Sequence, residues 1–396
     1  MSTIKGASPP TPPRSAPTDW PGMMRQLGPG LIISAVIVGS GELIVTPKLG
    51  ATVGFRLLWF IIVGCLLKVF VQVELGRFAI SKGMTTLEAM NIIPGPRWIV
   101  SWLVWLWLLM YIALFFQLAG MVGGIASICS LAGLHLSDRT LAILVGASCA
   151  VLLVVGRYRL VELVSTVLVV LFTFCTMAAV GMLQRTGFAI TPAQIIEGLQ
   201  FQMPESFTTA FATFGIIGVG ASELIYYPYW CLEKGYARNV GAHDGSAAWT
   251  DRAKGWIRVM QVDALVCFLI YTSATLAFYC LGAAILHAKG LVVENDKMIE
   301  TLSHMYRETF GQGSVWLFLV GAFAVLYSTV FGATASNARL LADALSLFGL
   351  VRYRTDQDRS RMVRIACALI PCIFVTIYLV WGAPVSLVFG GAIAQG

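Results

Sequence analysis

The chain is short of charge. Lysine, arginine, aspartate and glutamate make up only 12% of its 396 residues, about half the share of an ordinary soluble domain. Too little polar surface is available to cover a water-soluble core of this length, so lipid is the solvent that the composition demands. Histidine is scarce as well. The four present, His135, His243, His287 and His304, all lie outside the middles of the long apolar runs, which excludes a histidine-built metal site within a membrane. The nine cysteines fall singly, almost all inside apolar runs, with no C-x-x-C spacing. That excludes both a disulfide framework and a zinc cluster. The first 22 residues hold six prolines and no apolar core. They exclude a secretory signal and read, over residues 1–25, as a disordered cytosolic tail. No nucleophile–base pair, phosphate loop or metal-ligand cluster marks an enzyme, and no cofactor is implied.

What the chain does have is apolar length. It is 58% hydrophobic, with a mean hydropathy of +0.80. A spanning helix needs ~20 mostly apolar residues. Such stretches occur at 30–54, 57–80, 98–126, 139–156, 160–183, 207–230, 257–286, 314–346 and 363–381, with a last one beginning at 383. The third opens on "WIVSWLVWLWLLMY", an aromatic girdle suited to a membrane interface. The last has about 14 residues before Gly396, too few to cross at about 1.5 Å per residue, so the natural C-terminus is expected to continue. The outer loop 287–313 contains "MIETLSHMYRETF", which reads as a short amphipathic helix.

The net charge of +7 could signal nucleic acid. Here the basic residues sit in the loops between apolar runs, where they orient the chain instead. With the N-terminus inside, 19 of the 27 Lys and Arg fall on the inner side, seven on the outer, and one, Lys68, within a span. A multi-pass plasma-membrane protein with a cytosolic N-terminus is expected, its partners being the lipid bilayer and a small solute, with no nucleic acid. The sequence sets no oligomeric state.

The most informative feature is a self-match. The first span carries "GSGELIVTP", Gly39 to Pro47, and the sixth carries "GASELIYYP", Gly220 to Pro228. Both read G-x-x-E-L-I-x-x-P. A fainter echo follows in "VQVEL" with Gln72 and Glu74, and in "MQVDAL" with Gln261 and Asp263. Five spans separate the partners. An odd number of spans makes the two halves insert with opposite orientation, as in secondary transporters whose interrupted helices meet at the substrate. The halves are expected at 26–183 and 207–396, joined by an extracellular linker at 184–206. Glycine and proline weaken a helix, and broken backbone survives in lipid only against protein or a wet cavity. Each break also carries a carboxylate, Glu42 or Glu223. A charge at the bilayer centre costs at least ~3 kcal/mol, so its presence points to function. The expected site therefore comprises the Glu42 and Glu223 carboxylates, the carbonyls near Gly39 and Val219, and the hydroxyls of Ser40 and Ser222. These are hard oxygen donors, suited to Mg-, Mn- or Ca-like ions.

Other polar groups lie within the spans. Lys68, in the middle of span two, could pair with Glu42, Glu223 or Asp263, gate the site, or stand in for a coupling ion. Asp263 and Gln117 are further candidates for coupling or gating. Tyr327, Ser328, Thr329, Thr334, Ser336 and Asn337 could line a cavity in span eight, although helix–helix hydrogen bonding is the plainer role for most of them. Near the inner ends, Glu74 is expected to pair with Arg77, Asp343 with Arg339, and Glu162 with Arg157 or Arg159.

The opening stretch "GPGLIISAVIVGSGELIVTPKLGATVGFRLLW", with Gly28, Pro29 and Gly30 at its start, resembles the first two spans of the Nramp divalent-metal transporters of the APC superfamily. The lead-in Ile216, Ile217 and Gly218 resembles that family's sixth helix. The resemblance implies an all-α membrane protein of leucine-transporter type, an inverted 5+5 repeat with broken helices 1 and 6. It also implies a small cation as substrate. Where the family has Asp-Pro-Gly-Asn, this chain has Gly39, Ser40, Gly41 and Glu42. Where the family places a carbonyl and then methionine on helix six, it has Val219 and Ser222. Glu223 stands at the family's proline and Leu224 at its histidine. The family's thioether ligand, which favours transition metals, and its proton route are therefore not implied. The expected function is secondary transport of a divalent metal ion by rocking of spans 1, 2, 6 and 7 about the two breaks. Transport of a small organic cation or amino acid on the same scaffold is the alternative.

Overall fold

The computed structural model describes residues 12–39, 41–156, 158–204, 207–295 and 297–396. Among these, seven helices are long and apolar enough to cross a bilayer. The first span is divided into α2 (Pro29–Ile37), a π-helical turn (Gly41–Val45) and α3 (Thr46–Val53). Proline opens α2 at Pro29, where its missing N–H has no partner to lose. α4 (Leu58–Lys82) returns across the membrane. A surface helix, α5 (Thr86–Ile92), follows, started by a reciprocal cap between Thr85 and Glu88. Strands β1 (Arg97–Trp98) and β2 (Val100–Ser101) form a minimal antiparallel hairpin. The third span consequently begins at Trp102 rather than 98, and α6 runs from there to Leu131. α7 (Asp138–Val155) and α8 (Tyr158–Leu183) complete the first five spans.

The stretch 184–206 contains a short helix, α9 (Pro192–Gly198). The sixth span then divides into α10 (Phe207–Ile216) and α11 (Ala221–Lys234), with unwound chain between them. After the small α12 (Tyr236–Val240), α13 (Ala247–Leu281) crosses and ends in a second π-helical turn, Gly282–His287. The amphipathic helix expected after it is α14 (Met298–Phe310). α15 (Ser314–Leu347), α16 (Asp356–Trp381) and α17 (Pro384–Ile393) complete the bundle. Because five spans precede the sixth, α10–α11 runs against α2–α3, as the repeat requires.

Close packing of α3, the second piece of helix one, against helix seven depends on glycine. A Cβ on Gly50 would lie 2.7 Å from the Tyr279 carbonyl oxygen, and one on Gly282 would lie 2.5 Å from that of Pro47. The Tyr279 hydroxyl then donates to Gly54 O and accepts from Leu57 N, fixing the turn into α4.

The N-terminal segment differs from expectation. Residues 1–11 lie outside the described residues, but the rest of the expected disordered stretch 1–25 has a definite place. Arg14 N donates to Asn239 O (2.9 Å), and the Trp256 indole donates to Arg14 O (2.8 Å). α1 (Trp20–Gln26) follows, capped by Asp19. The Tyr236 hydroxyl and the Lys234 ammonium donate to Gln26 O and Leu27 O. The proline-rich composition reads as disorder because it buries little of its own, whereas aromatic residues of α12 and α13 supply the surface that holds it.

The pairing of Arg339 with Asp343 also needs correction. Arg339 reaches Glu233 at 2.6 Å, while Asp343 receives a two-pronged contact from Arg359 at 2.7 and 3.0 Å. Arg359 lies on α16 and Glu233 on α11, so both pairs join different helices rather than stapling one. Glu74 and Arg77 do pair, at 2.5 Å. Arg157 and the side chains of Glu162 and Arg159 lie outside the described residues.

Candidate functional site

The two breaks meet. A Cβ on Gly41 would lie 2.6 Å from the carbonyl oxygen of Ile216, the last residue of α10. The backbone of the first break is therefore pressed against the end of the sixth helix's first half. On the other side, a Cβ on Gly39 would clash with Thr329 of α15. The Thr329 hydroxyl lies 3.0 Å from both Val36 O at the end of α2 and Val325 O of its own helix, tying α15 to the first break.

Each helix resumes with an acid in its first turn, Glu42 in the π-helical turn and Glu223 in α11. That end of a helix carries exposed N–H groups and partial positive charge, so it favours a carboxylate. Glu42 is fully buried. Its carboxylate accepts from Gly39 N (3.3 Å) and from the Thr275 hydroxyl of α13 (3.2 Å). Glu223 is partly accessible. The two acids thus flank the junction where the breaks meet at Gly41 and Ile216. Ser40 lies outside the described residues. Gly39 and Val219 are at the two breaks as expected, and Val219 is fully buried.

Ser222 connects this pocket to a partner that the sequence did not reveal. Its hydroxyl lies 2.8 Å from Glu223 Oε2 and 2.7 Å from Gln395 Oε1. Ser222 N also donates to Gln395 Oε1, and the Gln395 amide donates to Gln117 Oε1. Gln117 therefore belongs to the site's surround. Gln395, the penultimate residue of the given sequence, joins the site through a contact 173 residues long, and no motif marks it. Tyr226, one turn beyond Glu223, donates to Asn337 Oδ1 at 3.0 Å, and Tyr111 donates to Asn337 O at 3.1 Å. The buried Asn337 Nδ2 and Ser336 Oγ have no hydrogen-bond partner, leaving polar atoms beside this network for water or solute.

Lys68 and Asp263 are not partners. The Lys68 ammonium donates to the carbonyls of Phe214, Gly215 and Ile217. Asp263 accepts from Gly28 N (3.0 Å), Gly30 N (2.5 Å) and the Tyr227 hydroxyl (3.1 Å). Its carboxylate thus caps the start of α2 from α13, a structural task. The echo that suggested symmetry between Glu74 and Asp263 does not extend to the fold, because Glu74 is exposed and Asp263 buried.

Among the described residues, no group of three or more His, Cys, Asp or Glu could hold a metal. The junction instead gathers two carboxylates with hydroxyl, amide and backbone oxygens nearby, all of them hard donors by type.

Comparisons with known proteins agree with this architecture. A family model described as natural resistance-associated macrophage protein-like (Nramp) matches residues 30–391. An uncharacterized protein of Pasteurella multocida is 22% identical over 339 residues, covering 83% of this chain and 72% of its own length. Among solved structures, a mutant of the manganese transporter of Eremococcus coleocola superposes with a TM-score of 0.65 at 14% identity, over 96% of this chain and 76% of that one. A nucleobase-cation-symport-1 family transporter gives 0.59 at 16% identity, over 95% and 76%. A Na+-coupled sialic acid symporter gives 0.56 at 11% identity, over 92% and 76%. At these identities the structures establish a shared fold, that of leucine-transporter-type carriers with an inverted repeat.

Proposed function

The chain belongs to the Nramp family, and on that premise we propose that it carries a divalent metal ion across a bilayer by alternating access, binding it between Glu42 and Glu223. The observation that carries this reading is the meeting of the two breaks at Gly41 and Ile216, each followed by an acid in the resuming helical turn. Two carboxylates sharing a pocket repel each other, and a divalent ion removes that repulsion. The remaining ligands are the Ser222 hydroxyl, carbonyls near Gly39 and Val219, Ser40 and water. The preference is for Mg- or Mn-like ions, because the groups gathered at the carboxylates offer oxygen. The Eremococcus coleocola protein of related fold is a manganese transporter, which supports the substrate class.

The repeats 26–183 and 207–396, joined by 184–206, form the two halves of the carrier. Spans 1, 2, 6 and 7 rock against the rest, with the breaks as hinges. The excess of basic residues on the N-terminal side puts that side in the cytosol, in the plasma membrane.

The test is a titration of purified protein with Mg, Mn, Ca and Zn, alongside uptake into proteoliposomes, for the wild type and for Glu42→Gln and Glu223→Gln. Each change removes one charged ligand, and a loss of at least tenfold in affinity, about 1.4 kcal/mol, is expected. Weak binding of every metal, unaffected by either change, while an amine or amino acid binds instead, would establish the organic-solute alternative.

A further inference from the structure

A lysine in the middle of a membrane helix needs an account. Lys68 sits halfway along α4 and is 6% exposed, where an uncompensated charge costs at least ~3 kcal/mol. Its compensation is backbone. An ammonium has three protons, and three carbonyl oxygens receive them, those of Phe214, Gly215 (3.1 Å) and Ile217 (3.0 Å). The Phe214 ring adds its face, with the nitrogen 5.0 Å from the ring centre. These carbonyls cluster for a reason. α10 ends at Ile216, so its last carbonyls lack helical donors and carry the negative end of the helix dipole. Ile217 N still reaches back to Thr213 O, and Gly218 then adopts φ +55°, a conformation natural to glycine. That turn brings the Ile217 carbonyl to the same point as those of Phe214 and Gly215.

A knot of converging carbonyls beside an aromatic face is how proteins replace the water around a monovalent cation. We propose that the end of α10 is a monovalent-cation site and that Lys68 is its permanent occupant, a tethered ammonium in place of a dissolved ion. The unwound stretch of the sixth helix is thereby braced by the protein's own ammonium, with no need for sodium or potassium from solution.

Removing the side chain exposes the site. In Lys68→Ala, purified without divalent metal, the thermal midpoint falls below that of the wild type. It rises again with ammonium or methylammonium chloride but not with choline chloride, and the wild type responds to none of them. A variant as stable as the wild type, or equal recovery with choline, overturns the proposal. Should Lys68→Ala fail to fold, amine-selective acetylation of the solubilised wild type, mapped by mass spectrometry, decides instead. Lys254 is modified while Lys68 is protected, and equal labelling overturns the proposal. The transport consequence rests on the function proposed above. Metal uptake by the wild type keeps its rate when sodium and potassium are replaced by choline. A strict requirement for either ion defeats the tethered-cation reading, whereas no uptake under any condition defeats the transport reading. The melting and labelling results stand apart from both.

Discussion

Gly41 and Ile216 touch backbone to backbone: a Cβ at position 41 would stand 2.6 Å from the Ile216 carbonyl oxygen. No flexible side chain is available there to move aside, so the smallest possible residue sets the distance between the two interrupted helices. Gly41→Val is expected to destabilise the protein by about 1–3 kcal/mol through overpacking. It should also abolish uptake, because the carboxylates are driven apart. Thermal unfolding and proteoliposome flux measure the two effects, and a variant with wild-type flux would separate the contact from the mechanism.

Asp263 gives a contrasting expectation. It accepts two backbone N–H groups at the start of α2 and the Tyr227 hydroxyl, and none of these partners belongs to the carboxylate pocket. Asp263→Ala is expected to cost about 1–2 kcal/mol, as for loss of a helix cap, with metal affinity in the folded fraction within about threefold of wild type, under 1.4 kcal/mol. A tenfold weakening of binding in calorimetric titration would instead make Asp263 part of the site.

The loop carrying α14 has a pH dependence of known sign. Lys289 contacts Glu308 at 2.5 Å, and the hydrogen bond from that ammonium holds the Glu308 carboxyl below its ordinary range. A depressed folded-state pKa stabilises above the unfolded value, and the contribution disappears as pH falls through the folded one. Hydrogen-exchange protection of residues 298–310 should therefore be constant near neutrality and decline under acid conditions. Lys289→Met should remove the part of the decline that this pair causes. An identical profile in the variant would assign the acid response elsewhere.

The N-terminal strap is expected to depend on one indole. Trp256 donates to Arg14 O, and Trp256→Phe keeps the ring's bulk while deleting the donor. Limited proteolysis should then cut at Arg14 several-fold faster, with the global melting temperature changed little, since an ordinary hydrogen bond contributes only about 1 kcal/mol. Unchanged cleavage would mean that other contacts hold the segment.

Much of this architecture is legible in the sequence because lipid simplifies the code. Spans announce themselves by hydropathy, and the paired G-x-x-E-L-I-x-x-P motifs locate both breaks and both acids. What stays hidden is carried by contacts without a sequence signature. Lys68 suggests an acidic partner from the sequence, whereas its hydrogen-bond partners are main-chain carbonyls, which every residue possesses. Gln395 follows the short helix α17 and reaches Ser222 only through the fold. Asp263 acts on glycines more than 230 positions away. The strap is misread for a related reason, since local composition says nothing of a docking surface supplied by Trp256 and Tyr236.

The Asp263 carboxylate has a mechanical consequence as well. Through it, the start of α2 and Tyr227 of α11 hang from one point on α13. Any displacement of α13 at this point would therefore be passed to both divided helices together, through one shared anchor rather than two separate ones.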